Sequence, residues 1–228
     1  MLLLISNYYK QVNFNKLTRY YINMVNKKLK ILAASDVHGD SSQFKRLAEK
    51  AEKEKVDLVV LCGDLTSELE TRNIIKPFKD KGQKVLLVPG NHDGLLTAEF
   101  LSELYNVKNL HASTVVYSDV GLFGCGLANV NTGLGSLSEE EIFDTMKRGF
   151  YYVRNIQKKI AVTHVHPGGT IVERISPGFG SSGLRNFIER YQPDLVLCGH
   201  VHEAAGVEDF IGKTRVINVG RDGKIIEI

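Results

Sequence analysis

Short apolar runs alternate with amphipathic stretches from residue 29 onward. Five continuous apolar runs have the length of a strand, at residues 29–34, 56–62, 85–88, 160–163 and 195–198. Continuous runs are typical of strands that are covered on both faces. Between the early runs, residues 42–53, 67–79 and 95–104 have the length and periodicity of crossover helices. The pattern therefore predicts βαβ units and an α/β domain.

The pattern changes toward the end of the chain. Short β-type runs at residues 204–210, 215–219 and 224–228 are separated by the turn-forming pairs Gly212-Lys213 and Asp222-Gly223, which predicts closing antiparallel hairpins. A capping box at Ser138 predicts a helix within residues 129–155, a stretch that is either a connector or a lid. Residues 176–183 either line a cleft or only lead into a helix at 184–190.

Composition indicates one ordinary globular domain. A chain of 228 residues that is 43% hydrophobic and 24% charged can bury a core without disulfides or metals. Its three cysteines are odd in number and lack CxxC spacing, which fits a reducing cytoplasm. The apolar start at residues 1–5 is shorter than a membrane span or the roughly 7–15 apolar residues of a secretory signal. We therefore expect a cytoplasmic protein without a membrane partner.

The net charge of +3 is unevenly distributed. Residues 1–30 carry six basic groups and no acidic one, whereas the rest carries 23 basic and 26 acidic groups. A mildly acidic body argues against a dedicated nucleic-acid-binding protein. Residues 1–27 are interpreted as an extension outside the main domain, which comprises residues 28–228. The alternatives are a basic contact arm and a true translation start at Met24.

Metal-capable side chains follow the predicted strands. Six of the seven histidines fall in four short segments, each directly after an apolar run, and Gly63-Asp64 follows another run. Groups at the carboxyl ends of parallel strands converge on one crevice of an open sheet. The candidate ligands are Asp36, His38, Asp64, Asn91, His164, His200 and His202.

Their number suits two ions. Seven mixed oxygen and imidazole donors exceed the about four to six ligands of one ion, but fit two ions if one carboxylate bridges. Asp64 stands alone at its strand end, so we expect it to be the bridge. In extended chain, residues i and i+2 project to the same side, so Asp36 with His38, and His200 with His202, are each expected to grip one ion as a pair.

These segments resemble the calcineurin-like metallophosphoesterase superfamily over residues 29–228. The superfamily pattern D-x-H, G-D, G-N-H-D/E, H and G-H-x-H is matched in order by Asp36/His38, Gly63-Asp64, Gly90-Asn91-His92-Asp93, His164 and Gly199-His200-Val201-His202. The resemblance implies a two-sheet αββα sandwich with mixed sheets and a dinuclear site at the carboxyl ends of the strands. It assigns the first metal to Asp36, His38, Asp64 and His202, and the second to Asp64, Asn91, His164 and His200.

The resemblance also implies a reaction. The expected activity is metal-dependent phosphoester hydrolysis, with metal-bound hydroxide as nucleophile. His92 would donate to a phosphoryl oxygen or protonate the leaving group, and Asp93 would orient its ring. The mixed donors suit Mn²⁺, Fe, Zn²⁺ or Ni²⁺ better than Mg²⁺ or Ca²⁺. His166 is left open between a polar rim residue that touches substrate or water and a structural role.

The substrate class follows from a departure from the pattern. Phosphoprotein phosphatases of the superfamily carry GDYVDRG at the second block and an arginine soon after GNHE, but here residues 63–68 read GDLTSE and residues 91–96 read NHDGLL. The missing arginines favour a small bacterial or archaeal type of phosphoesterase, with a small phosphodiester as the expected substrate. A metal-dependent nuclease and a non-catalytic scaffold are the alternatives. The oligomeric state stays open, with a homodimer as one option.

Overall fold

Eleven strands and six α-helices make up the described part of the chain, residues 28–67, 73–130 and 133–228 of a computed structural model. The expectations for residues 1–27, including a start at Met24, lie outside these residues. The strands are β1 (Lys30–Ala34), β2 (Leu58–Cys62), β3 (Val85–Val88), β4 (Lys108–Asn109), β5 (Thr114–Tyr117), β6 (Val120–Cys125), β7 (Lys158–Thr163), β8 (Leu195–Cys198), β9 (Glu208–Ile211), β10 (Thr214–Asn218) and β11 (Lys224–Glu227). The helices are α1 (Ser41–Lys53), α2 (Lys76–Asp80), α3 (Gly94–Tyr105), α4 (Glu139–Val153), α5 (Ile171–Ile175) and α6 (Ser182–Tyr191), and a 3₁₀ turn covers His202–Ala204.

The strands form two mixed sheets. The first has the order β11-β1-β2-β3-β4, in which only β11 runs antiparallel to its neighbour. The second has the order β5-β6-β7-β8-β10-β9, with a parallel centre and antiparallel strands at both edges. Parallel strands β1, β2 and β3 of one sheet, and β7 and β8 of the other, therefore each end at one edge of their sheet.

Successive side chains of each strand point to opposite faces of its sheet, and both faces are covered, which gives a four-layer sandwich. In β1, Ile31 and Ala33 pack into the core between the sheets, which also holds Ile160 and Val162 of β7. Leu32 packs on the other face with the helices that cover the first sheet. Helices α4 and α6 cover the outer face of the second sheet. Because both faces of the central strands are buried, their sequences are continuously apolar. The predicted αββα sandwich is confirmed.

Several details differ from the prediction. Residues 67–79 do not form one helix: the described helix there is α2, in which Pro77 occupies the first turn, and residues 68–72 lie outside the described part. The strands β4, β5 and β6 were not predicted, although Thr114–Tyr117 is a β-type run. Strands β9 and β10 form the expected hairpin, but the turn after β10 leads the chain across to pair β11 with β1 in the other sheet.

Two helix starts follow their capping residues. Ser138 caps α4 and forms a reciprocal capping box with Glu141. Asp40 caps α1 by accepting hydrogen bonds from the backbone of Ser42 and Gln43. Helix α4 is packed into the core through Ile142 and its neighbours, so this helix is not a lid. Within the described ranges, no helix combines the length and apolarity needed to cross a bilayer.

Candidate metal centre

The seven candidate ligands meet where the parallel strands of both sheets end. Asp36 follows β1, Asp64 follows β2 and Asn91 follows β3, whereas His164 follows β7 and His200 follows β8. Two compact donor groups result. The outer group is Asp36, His38 and His202, and the inner group is Asp64, His164 and His200; in each group, one donor atom per residue lies within 4.8 Å of the others.

Asp64 lies between the two groups. Its Oδ2 is 3.3 Å from His164 Nε2 of the inner group and 3.8 Å from His38 Nε2 of the outer group. Within the outer group, the Nε2 atoms of His38 and His202 are 3.1 Å apart. Asp36 Oδ1 is 3.7 Å from His202 Nε2. One carboxylate oxygen thus faces imidazoles from both groups.

The environment of His164 fits a cation. Its Nδ1 donates a hydrogen bond to the Cys62 carbonyl oxygen at 2.9 Å, which can only accept. A neutral ring then turns the lone pair of Nε2 toward Asn91 Oδ1 at 3.0 Å, His200 Nδ1 at 3.2 Å and the Asp64 carboxylate. A backbone hydrogen bond of this kind sets the tautomer of metal-binding histidines. Converging lone pairs repel unless positive charge lies among them, so the donor set suits a divalent ion.

The pKa shifts in the inner group also indicate that positive charge is favourable there. Burial disfavours imidazolium at His164, but the carboxylate of Asp64 outweighs burial and raises the pKa of His164 to about 9. Burial likewise opposes ionisation of Asp64, yet its contact with His164 holds the pKa of Asp64 far below its ordinary value. Burial, and then the neighbouring His164, lower the pKa of His200 to about 3. In the outer group, burial raises the pKa of Asp36 and lowers that of His38.

Four of the candidate ligands have left-handed backbone. The φ angles are 59° at Asp36, 49° at His38, 51° at Asp64 and 72° at His200. Such a conformation is uncommon for residues other than glycine and costs about 1–3 kcal/mol at each position. The backbone at these residues is therefore not extended, contrary to what the expectation for i and i+2 pairs had assumed. Asp36 and His38 do share a group, but His200 and His202 belong to different groups.

Two glycines permit the close approach of these loops. Gly63 has a φ of +91°, and a Cβ there would lie 2.6 Å from His164 Nδ1. A Cβ at Gly199 would lie 1.8 Å from the hydroxyl of Ser35. Any side chain at either position would push a strand-end loop away from the shared point.

His92 and Asp93 have different surroundings. The exposed ring of His92 lies 5.5 Å from the ring of His38, and its backbone N–H donates to Asp64 Oδ1 at 2.9 Å. The buried carboxylate of Asp93 instead accepts from the backbone N–H groups of Leu65, Thr66 and Gly90 and from the Thr66 hydroxyl. The expected role of Asp93 in orienting the ring of His92 stays a prediction, and these hydrogen bonds add a structural role. Because both carboxylate oxygens of Asp93 accept hydrogen bonds from these donors, Asp93 joins the loop after β3 to the loop after β2.

His166 lies behind the site. It is fully buried, so it is not a rim residue. Its Nε2 lies 3.1 Å from Glu173 Oε2, and its ring stacks on that of His200. Sequence reasoning missed Glu173 because only a tertiary contact connects that helical residue with the site. Residues 176–183 do line the cleft: Ser176 and Phe179 border a mouth of about 270 Å³ together with His92 and other site residues.

Comparisons with known proteins agree with this architecture. Residues 29–204 match the family model described as calcineurin-like phosphoesterase. The fold is a two-sheet sandwich with metal-capable groups at the strand ends. The chain belongs to the calcineurin-like phosphoesterase family. The family depends on two metal ions, and the structure has two candidate donor groups.

Individual relatives are distant. The UPF0046 protein K07C11.7 of Caenorhabditis elegans is 26% identical over 206 residues, which cover 74% of this chain and 63% of that protein. Thus the chain spans less than two thirds of that relative. The protein TT1561 of Thermus thermophilus has a TM-score of 0.69 at 17% identity, covering 88% of this chain and 99% of the other. A dimetal phosphatase from Danio rerio has a TM-score of 0.59 at 11% identity, covering 85% and 88%. At these low identities, the two structural similarities support the fold alone.

Proposed function

We propose that this chain is a dinuclear metal-dependent phosphodiesterase that acts on a small phosphoester. The observation that carries the proposal is the position of Asp64 Oδ2, 3.3 Å from His164 and 3.8 Å from His38. A carboxylate between two donor groups can bridge two ions, which is the arrangement of two-metal hydrolytic sites.

Each ion would have four protein ligands. The first ion would be held by Asp36, His38, Asp64 and His202, and the second by Asp64, Asn91, His164 and His200. Imidazole combined with carboxylate and amide oxygens suits Mn²⁺, Fe, Zn²⁺ or Ni²⁺. When bound, two such ions supply positive charge that neutralises the phosphoryl oxygens and lowers the pKa of the attacking water.

His92 is the proposed catalytic residue. Its exposed ring lies at the mouth, beside the outer group, and the hydrogen bond from its backbone to Asp64 holds the residue in place. From this position the imidazole can donate a hydrogen bond to a phosphoryl oxygen or a proton to the leaving oxygen. General acid help of this kind contributes about 10²–10⁴-fold to a rate.

The charge of the mouth favours a diester. The described residues that border it include Glu203 but no lysine or arginine. Arg221 and Lys224 line an adjoining cavity of about 620 Å³, but Arg221 is paired with Asp40 and Lys224 with Glu208. A phosphomonoester carries about −1.5 to −2 charges at pH 7, whereas a diester carries one. A mouth without its own cationic side chains therefore suits the less charged ester.

From its cysteines and its charge, we expect the enzyme to work in the cytoplasm and not to bind nucleic acid. Cys62, Cys125 and Cys198 are free and buried, which fits a reducing cytoplasm. The acidic balance of residues 31–228 is unfavourable for binding a nucleic-acid backbone. A gel assay with single- and double-stranded DNA tests the nuclease alternative, and the mass in solution decides between monomer and homodimer.

The direct test is metal removal followed by Mn²⁺ addition. Hydrolysis of bis-p-nitrophenyl phosphate should disappear with the chelator, return with Mn²⁺, and proceed with a higher kcat/KM than hydrolysis of p-nitrophenyl phosphate. Absence of metal-dependent turnover on both esters would contradict the proposed activity. A preference for the monoester would contradict only the diesterase assignment.

A further inference from the structure

An exposed aromatic ring forms one side of the cleft mouth. Phe179 is 40% exposed, and its ring centroid lies 5.9 Å from that of His200 in an edge arrangement. It borders the same opening as His92. Resting on His200, Phe179 leaves part of an apolar ring open toward the place where a substrate must enter. Covering such a surface with another ring is favourable, both through apolar burial and through aromatic pairing.

We propose that Phe179 is a stacking surface for a planar ring of the substrate, so that the enzyme prefers phosphoesters carrying a nucleobase or an aryl group. This inference rests on the proposed phosphoesterase function, and it adds the class of group attached to the phosphate. Nucleobase and aryl rings share the chemistry that Phe179 would recognise, a flat π-face.

The loop that carries Phe179 is anchored to the metal centre. Glu173 Oε1 accepts a hydrogen bond from the Gly178 backbone N–H at 2.7 Å, next to Phe179 in the chain. The other oxygen of Glu173 lies 3.1 Å from Nε2 of the buried His166, whose ring stacks on that of His200. The loop is thereby fixed to the histidines behind the site. A surface held in position before binding loses less conformational entropy when the ligand arrives.

Among the described side chains at the mouth, Phe179 is the one best suited to recognise a planar ring of the substrate. The described side chains around the opening are imidazoles, acids, an amide, a hydroxyl and Val201, which contacts the buried cluster near α5. None of them is a second aromatic hydrocarbon ring or a guanidinium, and the exposed imidazoles of His92 and His202 are assigned to catalysis and to metal binding. Phe179 is therefore the group that distinguishes a ring-bearing ester from an alkyl ester.

Binding of paired phosphate compounds tests the ring preference directly. The Mn²⁺-loaded protein is titrated calorimetrically with AMP and ribose 5-phosphate, and with phenyl phosphate and methyl phosphate. The members of each pair share a phosphate and differ in the ring. Since stacking on an aromatic side chain is worth about 1–3 kcal/mol, the ring-bearing member should bind about 5- to 150-fold more tightly. A preference in the first pair indicates a nucleobase, and one in the second pair only indicates a small aryl group.

Variants assign the preference to Phe179. Phe179→Ala and Phe179→Leu should both lose it while still binding methyl phosphate. Phe100→Ala removes a phenylalanine that is 56% exposed on α3, so it is the matched control and should retain the preference. Equal binding of both members of each pair by the unaltered protein would overturn the inference. So would a preference that survives in Phe179→Ala.

Glu173 is a positioning residue in this scheme. Glu173→Ala should reduce the ring preference, Glu173→Gln should largely restore it, and Glu173→Ala should cause no further loss when Phe179→Ala is already present. An additive loss in the double variant would contradict positioning through Phe179.

The experiments distinguish failure of the stacking surface from failure of the proposed phosphoesterase function. A protein that hydrolyses bis-p-nitrophenyl phosphate without ring preference refutes only the stacking surface, and one with ring preference but no turnover refutes only the phosphoesterase function.

Discussion

The two donor groups differ in their exposure to solvent. In the inner group, the side chain of His164 is completely buried, whereas that of His202 in the outer group is 57% exposed. His164 is fixed by a hydrogen bond to the Cys62 carbonyl, and its pKa is raised by the neighbouring carboxylate. His202 begins a short 3₁₀ turn at the surface. The comparison indicates a preformed inner donor group that belongs to the core and an open outer donor group at the mouth of the cleft.

Both groups depend on Asp64, so its replacement should have the largest effect. Asp64→Ala removes the oxygen that faces His164 and His38, together with the acceptor for the His92 N–H. Each ion contributes several kcal/mol to charge stabilisation in the transition state, and every 1.36 kcal/mol is tenfold in rate. We expect a loss of at least about 10⁴-fold in kcat/KM, and elemental analysis should show less than two ions per chain. Two retained ions would contradict the bridging role.

His92 should separate catalysis from metal binding. His92→Ala leaves both donor groups intact, so we expect kcat to fall about 10²–10⁴-fold at unchanged metal content. His111→Ala is the matched control, because His111 accepts a hydrogen bond from Gly126 N–H and belongs to neither donor group. A His92→Ala enzyme with normal kcat would show that another group donates the proton.

The difference between inner and outer site should be visible in stability. In the metal-free protein, His164→Ala leaves a cavity and removes one of the hydrogen-bond donors to the Cys62 carbonyl, which keeps the Ser35 hydroxyl, so unfolding in urea should require about 2–4 kcal/mol less free energy. His202→Ala changes an exposed side chain and should alter the unfolding free energy by less than about 0.5 kcal/mol. Equal destabilisation by the two variants would remove the distinction between the groups.

Asp93→Asn should have a smaller effect than His164→Ala. Asp93→Asn replaces one acceptor oxygen by an amide group that would face a backbone N–H, so we expect a loss of about 1–3 kcal/mol in unfolding free energy. The kcat of the folded variant should change less than that of His92→Ala. A large loss of kcat with unchanged stability would support the original expectation that Asp93 orients the ring of His92.

The strands and the convergence of the candidate ligands at their ends were predictable from the sequence for physical reasons. Strands buried on both faces require continuous apolar runs, and parallel strands bring their ends to one edge, so residues such as Asp36 and Asp64 could be placed together. The path of β11 could not be predicted, because its pairing with β1 joins distant parts of the chain. Short turn signals carry no information about which sheet a following strand joins.

The finer geometry of the site was beyond sequence patterns. The i, i+2 rule assumes extended backbone, but Asp36, His38 and His200 have left-handed backbone, so the rule could not foresee that His200 and His202 lie in different groups. The role of Asp93 depends on backbone N–H groups at 65, 66 and 90, which any sequence possesses. Similarly, the Glu173 anchor follows from a tertiary contact with Gly178 N–H and not from a motif.

A crystal structure of the Mn²⁺-loaded protein with anomalous diffraction data tests the central claim most directly. We expect two manganese peaks per chain, one among the outer-group donors and one among the inner-group donors, with Asp64 contacting both. A single peak, or peaks away from these side chains, would contradict the assignment of a two-metal phosphoesterase site.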